Sequence, residues 1–147
     1  TKTLAGKGKP WQFSNCHKIA IDPRYIPKRL LCTDRNNDRL VHMNMDGALI
    51  GDYATHLLKP SAVAFFGNKI AVAEIRGRVS LLDINGKVLE TFGTNENQDQ
   101  IGHDRTSPKD WQEGVFTSPH GIAFDGVGNL YITEYSKWGR VLKFNVN

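Results

Sequence analysis

Apolar and small residues alternate over three short stretches of the chain, KIAID at 18–22, AVAFF at 62–66 and GIAFD at 121–125. A period of two over five residues is that of a strand with one buried face. Each stretch is followed by a turn and then by a second apolar run, at 29–33, 69–73 and 130–133. Every second run ends on an acid: Asp34, Glu74 and Glu134. A few residues later an arginine (Arg39, Arg78 or Arg140) opens a third run. In the first two units, Asp46-Gly47 and Asn85-Gly86 are hairpin signals, and fourth strands are expected at 48–53 and 87–92. Each unit therefore reads as a four-stranded antiparallel meander, and no helix longer than one turn is expected.

Ile19 and Val63 lie 44 residues apart, which fits the roughly 40–45-residue period of a β-propeller blade. Val63 and Ile122 lie 59 apart, because a polar stretch over 94–113 is inserted between them. The expected organisation is all-β, with one domain over 1–147. Blade one spans about 13–53, blade two about 58–93 and blade three about 117–147, with an inserted loop over 94–116. The third unit stops before a fourth strand, while residues 2–8 at the other terminus have the form of one. An unpaired outer edge invites association. Propellers need 4–8 blades to close. The expectation is therefore a homodimer closing a six-bladed ring, in which residues 2–8 of each chain complete blade three of the other. The rival expectation is that the chain is half of a longer protein.

These motifs resemble NHL-type propeller blades, in which a P-H-G-I-A-like strand is followed by G-N-L-Y-I-T-like and R-V-like strands. The resemblance rests on "SPHGIAFD", "GNLYITEY" and "GRV", and the other two units carry it in register. No tryptophan–aspartate dipeptide ends a strand; the alternative is a three-unit β-sandwich or another blade family such as WD or kelch.

Composition adds bounds. Hydrophobic residues make up 39% and charged residues 23% of 147, and no apolar run approaches a membrane span, so a membrane partner is not expected. The net charge of +4 is dispersed, so a nucleic-acid partner is not expected either. Cys16 adjoins His17, and Cys32 ends the neighbouring strand. A disulfide demands closely directed Cβ atoms, which these positions do not declare, and two buried free thiols are the expectation. The compartment stays open.

Candidate chemistry gathers at one end of the units. His17 precedes Ile19 as His120 precedes Ile122, and Ser61 holds the equivalent place in unit two. Repeated imidazoles converging on a channel suit a divalent metal of the zinc class; the alternative is that each histidine caps a loop by hydrogen bonding to backbone. In a six-bladed dimer, four of them would face one axis. His42, His56 and His103 lack that register and are read as surface or packing residues. After the second strands stand Arg35, Ile75 and Tyr135. Arg35 suits an anionic group, and Tyr135 suits a donor or base. The repeated acids are read as structural partners of loop backbone or of the following arginines. The insertion enters blade three's first strand, so it lies on the histidine face. It is either a lid, with Trp111 and Trp11 over the channel, or a surface excursion.

"CHKIAID", "SPHGIAFD", "TDRNNDR" and "EYSKWGR" also look like the motifs of the peptidyl-hydroxyglycine amidating lyase propellers. That resemblance implies His17 and His120 as zinc ligands, Arg35 as a substrate anchor and Tyr135 as the base. That family uses three histidines from one chain, and this chain offers two. Three function classes follow. The first is a scaffold binding a metal ion, small molecule or peptide at the channel. The second is a zinc-dependent lyase-like enzyme, and the third is a non-catalytic module for protein or RNA.

Overall fold

The computed structural model describes residues 1–145; the end of the third unit, at 146–147, lies outside the described residues. The chain is all-β apart from single 3-10 turns at Arg35–Asn37, Gln98–Gln100 and Pro108–Asp110. Strands β1 (Cys16–Asp22), β2 (Arg29–Asp34), β3 (Arg39–Met43) and β4 (Leu49–Ala54) form one antiparallel sheet in chain order. Strands β5 (Pro60–Phe66), β6 (Lys69–Glu74), β7 (Arg78–Leu82) and β8 (Val88–Phe92) form a second. Strands β9 (Pro119–Phe124), β10 (Asn129–Glu134) and β11 (Val141–Asn145) form a third, with β11 at its edge. Among the described residues no helix is long and apolar enough to cross a membrane.

Turn chemistry explains why the meanders form. Asn44 and Asp83 each accept two backbone N–H groups across the β3–β4 and β7–β8 hairpins. Such side-chain-to-backbone bonds reinforce the turns' own, in which the Gly47 and Gly86 N–H groups donate to the Asn44 and Asp83 carbonyls. Gly86 adopts φ +81° beside blade one, where a Cβ would lie 1.8 Å from the Tyr53 carbonyl oxygen. Only glycine fits that hairpin.

Alternation then welds the sheets face to face. Leu31, Leu40, Tyr53 and Leu57 of blade one pack against Val63, Ile70, Val72 and Leu82 of blade two. Ala71, Val79 and Leu81, on blade two's other face, pack against Phe116, Leu130 and Ile132 of blade three. Truncating one fully buried leucine here, such as Leu31, would cost about 2–5 kcal/mol.

The outer face of blade one is covered differently. Leu30, Cys32, Val41 and Met43 lie under Ala5, Trp11 and Phe13 from the N-terminal segment. Trp11 donates its indole N–H to the Gly47 carbonyl at 2.9 Å. Trp11 therefore caps blade one's flank and not the channel, a correction to the sequence expectation. Within one chain, residues 2–8 form no strand and lie beside blade one.

The cysteines require a second correction. Cys16 and Cys32 form a disulfide, with Cα atoms 5.7 Å apart, and Cys16 is exposed. Register supplies the reason. Ile19 pairs with Cys32, so an unbroken ladder would set Cys16 opposite Arg35, on the face away from Cys32. A register shift between Cys16 and Lys18 sets Cys16 opposite Asp34 instead. Residues two apart on a strand share a face, so the shift brings both sulfurs to the same side.

Candidate functional site

The same register shift occurs at the start of every inner strand. It falls between Cys16 and Lys18 in β1, between Pro60 and Ala62 in β5, and opposite Thr133–Glu134 in β9. In each case one residue is left out of the ladder: His17, Ser61 and His120. A bulge frees its extra residue from pairing and re-aims the side chain. Three equivalent bulges thus present three side chains at one end of the array.

The repeated acids hold these bulges in place. Asp34 accepts the Ser14 and Asn15 N–H groups on one oxygen, and the Asn37 amide and the Arg39 guanidinium on the other. Glu74 accepts the Leu58 N–H, the Ser80 hydroxyl and both forks of Arg78. Glu134 accepts the Thr117 N–H and hydroxyl, the Ser118 N–H and Arg140. In every blade the acid thus ties the loop entering the inner strand to the arginine of the third strand, as the spacing led us to expect. Burial alone would disfavour ionised Asp34. Its hydrogen bonds from Asn37, Arg39, Asn15 and Ser14 outweigh burial and hold its pKa below the ordinary carboxylate value.

Inside this frame the two histidine rings meet edge to face, with centroids 5.0 Å apart. They belong to one chain, so the pair forms without a second copy. His17 Nδ1 lies 2.9 Å from the Ser61 carbonyl oxygen. A carbonyl only accepts, so Nδ1–H donates and the Nε2 lone pair of the neutral ring is left free. Burial, then the neighbouring His17, then the charge of Arg35 lower the pKa of His120. His17, Lys18, Ser61, Ala62, His120 and Gly121 are among the residues lining a cavity of about 310 Å³. No carboxylate lines it. Ser61 is 1% exposed, and its hydroxyl has no hydrogen-bond partner, the one such buried side-chain atom among the described residues.

A second ring surrounds the first. The N–H groups of Arg35, Ile75 and Tyr135 donate to the carbonyls of Asn15, Lys59 and Ser118, respectively. One backbone bond in each blade therefore pins the second-to-third-strand turn against the inner loop. Tyr135 is half exposed, with its ring centroid 5.9 Å from that of His120. The structure thus places Arg35, Tyr135, His17 and His120 at one end of the array. Among the described residues no three His, Cys, Asp or Glu side chains cluster as a metal site.

The inserted loop straddles blades two and three on the same side. Ile101 packs over Gly77, Asn95 N–H donates to the Gly77 carbonyl, and Lys137 N–H donates to that of Asp104. Ser118 exchanges two hydrogen bonds with the backbone of His103. Trp111 stacks on the Arg140 guanidinium at 5.0 Å, on the rim of blade three. It is not among the residues lining the histidine cavity.

Sequence reading missed two groups. The Ser61 hydroxyl was passed over because serine has no metal-site signature, although its register with His17 and His120 pointed to it. The other is a buried network at the opposite end of β1, where Arg24 pairs with Asp22 at 2.6 Å and His42 Nε2 lies 3.0 Å from the same carboxylate. Burial works against the Asp22 charge, but hydrogen bonds from Arg24 and His42 outweigh it and hold its pKa well below the carboxylate range. Tyr53 joins them and donates to the Asp83 carbonyl. This cluster ties blades one and two together, which makes His42 a packing residue.

Three face-packed antiparallel meanders in chain order, with inner strands converging at one end, define a propeller-like scaffold. Among solved structures the chain is similar to selenomethionine-substituted virginiamycin B lyase from Staphylococcus aureus, with a TM-score of 0.54 and 15% identity. The match covers 87% of this chain and 40% of that one, and at this identity the likeness is one of fold. No protein-family model matches the chain, and no curated protein matches its sequence.

Proposed function

We propose that the chain is a scaffold of NHL-type blades that binds a metal ion or small ligand at the mouth of its inner strands, through His17 and His120. One observation carries this reading: two histidines at equivalent bulges meet at 5.0 Å, with His17 Nδ1–H engaged and its Nε2 free. Metal-ligating histidines ordinarily donate their second ring N–H in this way. The donor set suits a zinc-class ion, with two imidazoles from the chain and the remaining positions open to a ligand.

The proximity of Tyr135 to His120, and the Arg35 charge felt at His120, favour a second reading, a zinc-dependent lyase-like enzyme. A bound ion would supply Lewis acidity there. The Tyr135 hydroxyl would then move a proton, and Arg35 would orient an anionic group. We further propose that two copies close a six-bladed ring. The β11 edge, which has no further strand beside it among the described residues, and the exposed Ile19 and Ile21 on blade one's outer face support that closure.

The test is zinc binding by calorimetry to the purified chain and to His17→Ala and His120→Ala. We expect each variant to lose tenfold or more in affinity. We also expect binding by the native chain to weaken at acid pH once His120, whose pKa burial lowers, takes up a proton. A native chain that binds neither zinc nor small ligands would overturn the reading and leave the interaction module as the better account.

A further inference from the structure

We infer that Ser61 is the third recognition group of this site, and that its hydroxyl takes an oxygen atom of whatever His17 and His120 hold. The inference rests on the reading that those histidines hold a ligand, and it adds the ligand's chemistry.

Three independent observations converge on Ser61. It is the bulge residue of β5, in register with the two histidines. Its carbonyl accepts the His17 Nδ1–H at 2.9 Å, which locks its backbone to one of the rings. Its hydroxyl is buried and unpartnered, and Ser61 is one of the residues lining the same 310 Å³ cavity. Neighbouring hydroxyls show how unusual that is. Ser80 donates to Glu74, Ser118 to the His103 carbonyl, Thr33 to the Lys18 carbonyl and Thr117 to Glu134. Buried polar groups are paired as a rule, and an orphan calls for a partner such as a water, an ion or a ligand.

The lining narrows the class of ligand. Lys18 is among the lining residues, the Arg35 charge is felt at His120, and no carboxylate lines the cavity. A bare cation would meet no negative charge there. An oxygen with available lone pairs, neutral or anionic, would be welcome. Two sources share that chemistry: a hydration oxygen carried in by a zinc-class ion, and a small carboxylate.

The experiment titrates the full chain with zinc alone and with acetate alone, following heat and the imidazole nitrogen resonances. The native chain is compared with Ser61→Ala, Ser61→His and His17→Ala. We expect Ser61→Ala to bind about tenfold more weakly, the loss of one hydrogen bond. Because an orphan hydroxyl contributes nothing to the empty fold, its thermal midpoint should be unchanged or raised, which a purely structural serine would not allow. Ser61→His should bind zinc at least tenfold more tightly through a third imidazole, and this also reports that the variant is folded. Zinc binding weakened in Ser61→Ala supports the ion as source. Acetate binding alone, weakened in the same variant, supports the carboxylate and overturns the metal. Ser61→Ala binding like the native chain while His17→Ala does not would overturn the role of Ser61 and leave the histidine site standing. A native chain that binds neither probe overturns both.

Discussion

Replacing Asp34 by asparagine should destabilise the fold near neutral pH and also change how its stability depends on pH. The carboxylate is fully buried and divides its work by oxygen: Oδ1 takes the Ser14 and Asn15 N–H groups, and Oδ2 takes Asn37 Nδ2 and Arg39 Nε. Asparagine has one carbonyl oxygen and so can serve one pair only. Its NH2 would face the donors of the other. Breaking a buried charged pair from one side costs about 3–5 kcal/mol. Arg39 keeps Asp52 at 2.9 Å and the Trp11 carbonyl at 2.7 Å, so the lower figure, about 3 kcal/mol, is expected.

The pH arm checks the cause. The folded-state pKa of Asp34 is depressed, so its contribution is fully present above the unfolded carboxylate pKa of about 3.9 and is lost as pH falls through the folded value. The difference between native and variant unfolding free energies should therefore be constant near neutrality and shrink below about pH 4. Asp22 drives acid destabilisation in the same direction and is present in both proteins, so the difference isolates Asp34. Urea unfolding from pH 2.5 to 7 without reductant measures it. A loss below 0.5 kcal/mol at pH 7, within the ordinary range of surface substitutions, would refute the assignment. So would a difference that does not change with pH.

Two further outcomes follow. Converting Cys16 and Cys32 to serine together opens a cross-link spanning 16 residues and should cost about 3 kcal/mol in non-reducing urea unfolding; a change below about 1 kcal/mol would refute a constraining role. Ile21→Lys places a charge on blade one's outer face, where Ile21 is 53% exposed. Sedimentation should show the native chain at twice its chain mass and the variant at one, and a native-like monomer of the unaltered chain would refute ring closure.

Much of the architecture was legible because its signals are local. Alternation in KIAID and GIAFD, the Asp-Gly and Asn-Gly hairpins and the acid–arginine spacing each lie within a few residues, and the structure uses them as strands, turns and anchors. What was not legible depends on pairing between strands. A register shift leaves no composition signature, so neither the freeing of His17, Ser61 and His120 from the ladder nor the turning of Cys16 toward Cys32 was visible beforehand. The convergence of His17 and His120 within one chain, across an intervening blade, follows from how tightly the inner strands approach. Periodicity reports the order of blades but not that distance. Trp11 failed as a channel residue because blade one's outer face is apolar and needed a cover.

The bulges separate two demands that a strand ordinarily couples. A residue within a ladder must suit its cross-strand partner and the core behind it, so changing it disturbs the sheet. His17, Ser61 and His120 answer to no such partner, and the acid anchors hold their loops whichever side chain is displayed. Each blade therefore carries one position whose side chain is released from the demands of a cross-strand partner. A protein built this way can acquire new ligands one blade at a time, by substitution at three fixed addresses, while its framework stays the same.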